Sequence, residues 1–313
     1  MGLASMDKND LIYVAGHNGL AGSAIVRKLL ISGYERLLLA SRSEVDLTCG
    51  SEVKALFSQH RPDYVFMAAG RVGGIQANMS YPAEFLRDNI LMQTNVIHSA
   101  YRAGCKRLLL LGSSCMYPKD CPQPMKEEYI LTGPLEPTNE AYAIAKIAGL
   151  KLCQAYRNQY GSNFFSLIPP NLYGPGDRFD DTQSHVLGAL IHRFHKAKVD
   201  GSPSVTVWGS GNARREFLFA DDLADACLYL MMSKLSVDVI NVGSGKDVSI
   251  RDLACLVKEI VGFSGEVVFD HSKPEGMAQK LCDVSRIHDL GWTAHTSLGE
   301  GIVSTYKWFL EMR

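Results

Sequence analysis

The chain reads as an α/β protein built on a doubly wound parallel sheet, with a smaller mixed α/β companion. Three observations predict this. Strand-length apolar runs alternate with helix-period segments through the first half. The first run ends in a glycine-rich turn that opens a helix. After Pro169 and Pro170 the alternation gives way to loops and shorter mixed elements. Strands that are apolar throughout, separated by helices, must be covered on both faces, which is the signature of a parallel sheet. Right-handed crossovers then wind it in both directions.

In order, residues 11–15 form an apolar strand ending in Gly16, His17, Asn18, Gly19, Leu20, Ala21 and Gly22, and Ile25, Val26, Leu29 and Leu30 line one side of the helix that follows. Strands are predicted at 37–40, 64–68, 108–111 and 164–168, and helices at 51–59, 83–103 and 140–160. Beyond the Pro-Pro step come a loop at 174–177, a helix over 184–198, a strand at 205–208 and a helix opened by Asp221 and Asp222. Residues 237–242 read as one more strand of the main sheet. The predicted division is 1–172 plus about 221–245 for a Rossmann-type nucleotide-binding domain, and 173–220 plus 246–313 for a smaller substrate domain.

Composition excludes several classes. With 313 residues, 46% hydrophobic and 21% charged, the chain is an ordinary globule with room for more than one core. A formal net charge of -1 gives no basic footprint for nucleic acid or an anionic membrane surface. The first ten residues lack the basic and apolar regions of a signal peptide, and no apolar run is long enough to span a bilayer. None of the eight cysteines forms a C-x-x-C pair, so reduced thiols and a cytoplasmic address are expected. His192 and His195 share a helix face, but no third ligand lies near, so no metal is expected.

The glycine spacing G-x-x-G-x-x-G suits a dinucleotide. The first glycine allows a tight turn, the second a close approach of backbone to a pyrophosphate, the third close helix–strand packing. The helix start offers free N–H groups to the phosphates. At the end of the second strand, Arg42 supplies a planar cationic donor for a 2′-phosphate and favours NADP(H), while Glu44 is the competing residue for NAD.

Tyr142 and Lys146 form Y-x-x-x-K, which places both side chains on one helix face about one turn apart. A nearby ammonium favours the phenolate and is expected to lower the ordinary phenol pKa of ~10. The phenol then trades a proton with a sugar oxygen as hydride moves at the adjacent carbon. Ser113 follows the strand at 108–111, where ligands of open parallel sheets bind. Glycine turn, strand-end serine and Y-x-x-x-K, in this order, resemble the extended short-chain dehydrogenase/reductases.

A narrower resemblance lies in longer segments: Ala69, Gly70, Arg71, Val72, Gly73, Gly74, Ile75, Gln76, Ala77 and Asn78; Ser113 through Lys119; Pro170 through Pro175; Ser184, His185 and Val186; Val207 through Gly211; and Arg215, Glu216, Phe217 and Leu218. These are similar to the GDP-L-fucose synthases. The resemblance implies a dimeric enzyme that epimerises C3 and C5 of GDP-4-keto-6-deoxy-D-mannose and reduces the C4 ketone with NADPH. C3 and C5 both flank the ketone, so their protons are acidic through the enolate, and the reaction needs a base and an acid.

The resemblance implies Cys115 as the base and His185 as the acid, with Ser113, Tyr142 and Lys146 completing the catalytic set. A positive group beside a thiol favours its thiolate; without the resemblance, Cys115 reads as a packed core thiol. Implied cofactor contacts are Gly16, Asn18, Gly19, Leu20, Ala21, Gly22, Arg42, Asp46, Leu47, Ala69, Gly70, Leu111, Gly112, Ser113, Ser114, Tyr142, Lys146, Pro169, Asn171, Leu172 and His185. Implied substrate contacts are Asn171, Arg193, Trp208, Arg215, Glu275 and Lys280, with Arg and Lys suited to the pyrophosphate and Trp to a flat base or ribose. The chain departs from the family where Ala278-Gln279 replaces Pro-Arg, Pro170 replaces Thr and Gly188 replaces Pro; the first is expected to remove a cation near the nucleotide. Rival assignments are a 4,6-dehydratase or 4-epimerase of the same superfamily and a non-catalytic NADP-binding regulator. The dehydratase wants an Asp-Glu pair where Cys115 and Met116 stand, and the regulator tends to lose the Tyr or the Lys.

Overall fold

The structure is a computed structural model that describes residues 6–180, 184–233, 238–273 and 276–312. The elements in chain order begin with β1 (Ile12–Ala15), α1 (Leu20–Ile31), β2 (Leu37–Leu38), α2 (Gly50–His60), β3 (Tyr64–Met67), α3 (Ile75–Ser80), α4 (Pro82–Ala103), β4 (Arg107–Leu111), α5 (Glu140–Tyr160) and β5 (Phe164–Ile168). There follow β6 (Asn171–Tyr173), α6 (Val186–Asp200), β7 (Ser204–Trp208), β8 (Arg214–Phe219), α7 (Ala220–Met232) and β9 (Val239–Asn241). The chain ends with β10 (Asp247–Ser249), α8 (Ile250–Val261), β11 (Glu266–Asp270), β12 (Gln279–Lys280), α9 (Ser285–Asp289) and α10 (Leu298–Glu311).

The main sheet has six parallel strands in the order β2-β1-β3-β4-β5-β9. β1, β3, β4 and β5 are buried along their whole length, as a sheet clad on both faces requires. The two long helices are punctuated as their ends dictate. Pro82 sits at the first turn of α4, where its missing N–H is harmless, and Gly104 and Gly161 close α4 and α5 in the left-handed conformation. The strand order reverses at β1, so the switch-point crevice opens between β1 and β3, where doubly wound sheets bind ligands.

A second set of strands centres on β8, which pairs with β6 and β12 in parallel and with β10 antiparallel, while β7 pairs with β11. Its core, from Tyr173 and Leu187 to Ile302 and Phe309, draws only on residues at 173–219 and 250–309. The segment carrying Cys282, Val284, Ile287 and Trp292 packs instead into the cluster on one face of the main sheet. The predicted elements of the main sheet are found within one or two residues. The predicted helix over 184–198 begins later, at Val186, and leaves His185 at its N-cap.

Candidate active site

Backbone crowding builds the glycine turn. Gly16 has φ +85°, and a Cβ there would lie 2.7 Å from the Ala69 backbone at the end of β3. A Cβ on Gly22 would lie 2.0 Å from the Gly16 carbonyl oxygen, so α1 approaches the turn as closely as a chain can. Gly19 caps α1 without a side-chain hydrogen bond, and no acidic residue occupies the first turn. The start of α1 therefore presents uncapped N–H groups at the switch point, a donor set that fits a dinucleotide pyrophosphate.

Beyond β2, Arg42 is exposed on the loop, whereas the Glu44 carboxylate accepts from the Ser41 backbone N at 2.7 Å and from its hydroxyl at 2.6 Å. Those bonds hold the Glu44 carboxyl below its usual range and spend the competing acid within the turn. Asp46 likewise accepts from Thr48, and the Leu47 carbonyl accepts from Asn95. Asn18, Leu20 and Ala21 lie in the turn and the opening of α1.

The C-terminal end of β4 gathers the reactive groups. Ser113 caps a short 3-10 turn by accepting from the Cys115 backbone N at 3.2 Å, and its side chain also hydrogen-bonds Tyr142. Gly112 is walled in by Met116 and Ile168, and buried Ser114 donates its N–H to the Pro169 carbonyl. Buried Lys146 donates to the Leu111 carbonyl at 2.9 Å, and its ammonium would stand 3.5 Å from a Cβ on Gly70. The ammonium was expected to lower the Tyr142 phenol, and here the opposite holds: desolvation, then the neighbouring Cys115, pushes it up. Lys146 is 5.8 Å from the ring, and burial pulls its own pKa down to about 8.

Cys115 meets two groups from distant parts of the chain. Asn139 Nδ2 donates to its Sγ at 3.2 Å, and Lys280 Nζ reaches the same atom at 3.7 Å. The sequence placed Lys280 on substrate alone and did not single out Asn139. β12 explains why Lys280 arrives there. Consecutive strand side chains point to opposite faces, so Gln279 turns away and donates to Asp247 at 2.6 Å, beside the Arg214–Asp247 ion pair. The change from Pro-Arg thus puts Gln279 on the face opposite Lys280. The departure at Gly188 is also explained: a Cβ there would lie 2.4 Å from the Arg178 carbonyl oxygen, so this chain's turn requires glycine.

His185 enters from the start of α6, and the Ser184 carbonyl beside it lies 3.1 Å from where a Gly74 Cβ would stand. Desolvation, then the Arg178 charge, holds its imidazole below the usual range. The half-exposed Trp208 ring has Arg193 and Lys273 each 5.7 Å from its centre, and Lys273 had not been singled out in the sequence. An Arg215 guanidinium nitrogen lies 3.5 Å from where a Gly276 Cβ would be. Asn171 spends its amide on the Glu216 carbonyl at 3.0 Å, and Leu172 sits in register with Leu218. Glu275 lies outside the described residues. His195 hydrogen-bonds Tyr306, and no metal-holding group of three or more His, Cys, Asp or Glu occurs among the described residues.

The arrangement offers a dinucleotide turn, a serine–tyrosine–lysine set at a strand end, a thiol held by an amide and an ammonium, and a cation-flanked indole. Residues 12–243 match the NAD dependent epimerase/dehydratase family. GDP-L-fucose synthase 1 of Arabidopsis thaliana is 55% identical over 305 residues, covering 97% of this chain and 94% of its own length. Among solved structures, a GDP-L-fucose synthetase from Naegleria fowleri bound to NADP superposes with a TM-score of 0.90 at 29% identity, covering 99% of this chain and 97% of its own. A GDP-6-OMe-4-keto-L-xylo-heptose reductase from C. jejuni gives a TM-score of 0.94 at 38% identity, covering 99% and 100%. On the match over 12–243 and on the near-full-length identity, the chain belongs to the NAD dependent epimerase/dehydratase family and, within it, to the GDP-L-fucose synthases.

Proposed function

We propose that the protein converts GDP-4-keto-6-deoxy-D-mannose to GDP-L-fucose by epimerising C3 and C5 and reducing C4 with NADPH. The observation that carries this is the joint presence of two chemical units at the end of β4. The Ser113–Tyr142–Lys146 set suits carbonyl reduction, and the partnered thiol of Cys115 suits proton removal beside the carbonyl. Bound NADPH supplies the hydride. The turn at Gly16, Gly19 and Gly22 with the start of α1 would hold its pyrophosphate, and Arg42 its 2′-phosphate.

Tyr142, whose phenol burial keeps protonated, donates its proton to O4 as the carbonyl is reduced, and Ser113 orients that hydroxyl. The same hydroxyl stabilises the enolate oxygen during epimerisation. Cys115 removes the proton at C3 and at C5, and His185 returns one to the opposite face. Arg193, Arg215 and the Trp208 indole hold the nucleotide. Among the described residues, a core drawn from 173–219 and 250–309 supports a substrate-binding unit of 173–220 with 246–313, apart from the segment around 282–292 that packs on the main sheet, beside a cofactor unit of 1–172 with about 221–245. Exposed Leu91 and Ile144 on α4 and α5 support pairing of these helices in a homodimer. All eight cysteines are free, which supports a cytoplasmic address, and among the described residues no helix is long and apolar enough to cross a membrane.

The test is product analysis by NMR with GDP-4-keto-6-deoxy-D-mannose and NADPH, paired with incubation in deuterated water without NADPH. Wild type should yield GDP-L-fucose and place deuterium at C3 and C5. Cys115→Ser should place deuterium at neither, while slowly reducing the un-epimerised ketone to GDP-6-deoxy-mannose or its C4 epimer, GDP-6-deoxy-talose. A wild type that reduces the ketone and exchanges neither position is a plain 4-ketoreductase, the kind of activity for which the C. jejuni neighbour is named.

A further inference from the structure

We propose that Asn139 is a positioning residue for the Cys115 thiol, and that Lys280 pairs electrostatically with the same sulfur, so that the epimerisation base is a three-residue unit. This rests on the assignment of Cys115 as the base. Two observations single out Asn139. It occupies the N-cap of α5, where asparagine ordinarily accepts from the helix N–H groups, yet it makes no capping bond. Its Nδ2 is spent on Cys115 Sγ instead, at 3.2 Å. Its buried Oδ1 is, in keeping with the missing cap, without a hydrogen-bond partner among the described residues.

Lys280 approaches from β12, 165 residues further along the chain, with Nζ 3.7 Å from Sγ. A hydrogen-bond donor and a cation at one sulfur both stabilise negative charge there, the form in which a thiol removes a carbon-bound proton. The two contacts also fix where the sulfur points. Ser113 accepts from the Cys115 backbone, Asn139 donates to its side chain, and Lys280 closes the third side. Asn139 caps α5 three residues before Tyr142, so the cap positions the thiol while the first turn of the same helix carries the phenol. Epimerisation base and reduction acid are thereby registered on one rigid element.

The experiment uses Asn139→Ala, Asn139→Asp and Lys280→Gln in the full chain, with three readouts. These are the rate of Cys115 alkylation by iodoacetamide at neutral pH, followed by peptide mass spectrometry; deuterium incorporation at C3 and C5; and NADPH oxidation with the keto sugar. Hydrogen bonds to charged groups are each strong enough that losing one should slow alkylation and exchange by roughly 10- to 100-fold. Asn139→Asp decides between positioning and mere packing. It preserves the shape of asparagine but sets a carboxylate against sulfur, so it should be slower than Asn139→Ala in both thiol readouts. A structural role predicts the reverse, with the isosteric Asp better than Ala. Thermal melts within a few degrees of wild type establish that the variants are folded. Wild-type alkylation and exchange in Asn139→Ala, or recovery in Asn139→Asp, overturns the proposal. If wild type itself exchanges no deuterium, the epimerase assignment fails, and the alkylation arm still decides whether Asn139 and Lys280 govern the thiol.

Discussion

Replacing Gly22 by alanine sets a methyl carbon 2.0 Å from the Gly16 carbonyl oxygen, 2.6 Å from its carbonyl carbon and 2.9 Å from His17 Cα. Relaxed carbon–oxygen contacts begin near about 3.3 Å, so α1 and the turn must part by roughly 1.3 Å. Every atom in the way is backbone, so no side chain can swing aside. Overpacking of this kind costs about 3 kcal/mol, of which alanine's better helix propensity returns about 1. The remaining ~2 kcal/mol should lower Tm by roughly 3 °C for a chain of 313 residues. The larger effect falls on the cofactor. Each N–H to phosphate hydrogen bond is worth about 1.5–3 kcal/mol, and displacing one or more should weaken NADPH at least ~10-fold. Fluorescence titration with NADPH and a thermal melt measure the two quantities. Gly33→Ala is the control: its φ of +79° carries a backbone penalty of about 1–2 kcal/mol, but nothing lies within 4 Å of the new methyl. It should lower Tm without changing NADPH affinity. If Gly22→Ala binds NADPH within twofold of wild type, the close approach of α1 to the turn has no part in holding the cofactor.

Tyr142→Phe should lower NADPH oxidation with the keto sugar by ~100- to 10,000-fold while NADPH affinity stays near wild type, measured by steady-state kinetics and titration; near-normal turnover refutes the phenol as proton donor. Arg42→Ala should weaken NADPH far more than NADH, because only NADPH carries the 2′-phosphate, and equal losses in titrations of both would remove Arg42 from that role. Lys146, buried and shifted down to about 8 from 10.5, makes stability rise with pH between those values, since there the unfolded chain binds the extra proton. That contribution is full above about 10.5 and lost as pH falls through about 8, on the order of 3 kcal/mol. In Lys146→Met without cofactor, the part of the rise in Tm from pH 7.5 to 10 that wild type shows should vanish, and an unchanged rise would show that Lys146 does not carry it.

Much of the molecule was legible before folding, because the signals are local. Continuous apolar runs at β1, β3, β4 and β5 report a sheet covered on both faces, and the glycine spacing reports a turn in which no side chain fits at Gly16 or Gly22. Tyr142 and Lys146 share a face because a helix repeats every 3.6 residues. What the linear chain could not display is the company each group keeps. The sign of the Tyr142 shift depends on how much water reaches the phenol and on a thiol 27 residues away, which together outweigh the Ser113 hydrogen bond. The partners of Cys115 come from positions 139 and 280, joined only when α5 and β12 converge on the end of β4. By position alone Asn139 is an ordinary helix cap. The alternation of side chains along β12 decided which of Gln279 and Lys280 faces the sulfur, and that choice exists only once β12 is paired to β8. Local conformation follows from a few neighbouring residues, whereas dielectric, charge and hydrogen-bond partnership at a site are properties of the packed whole.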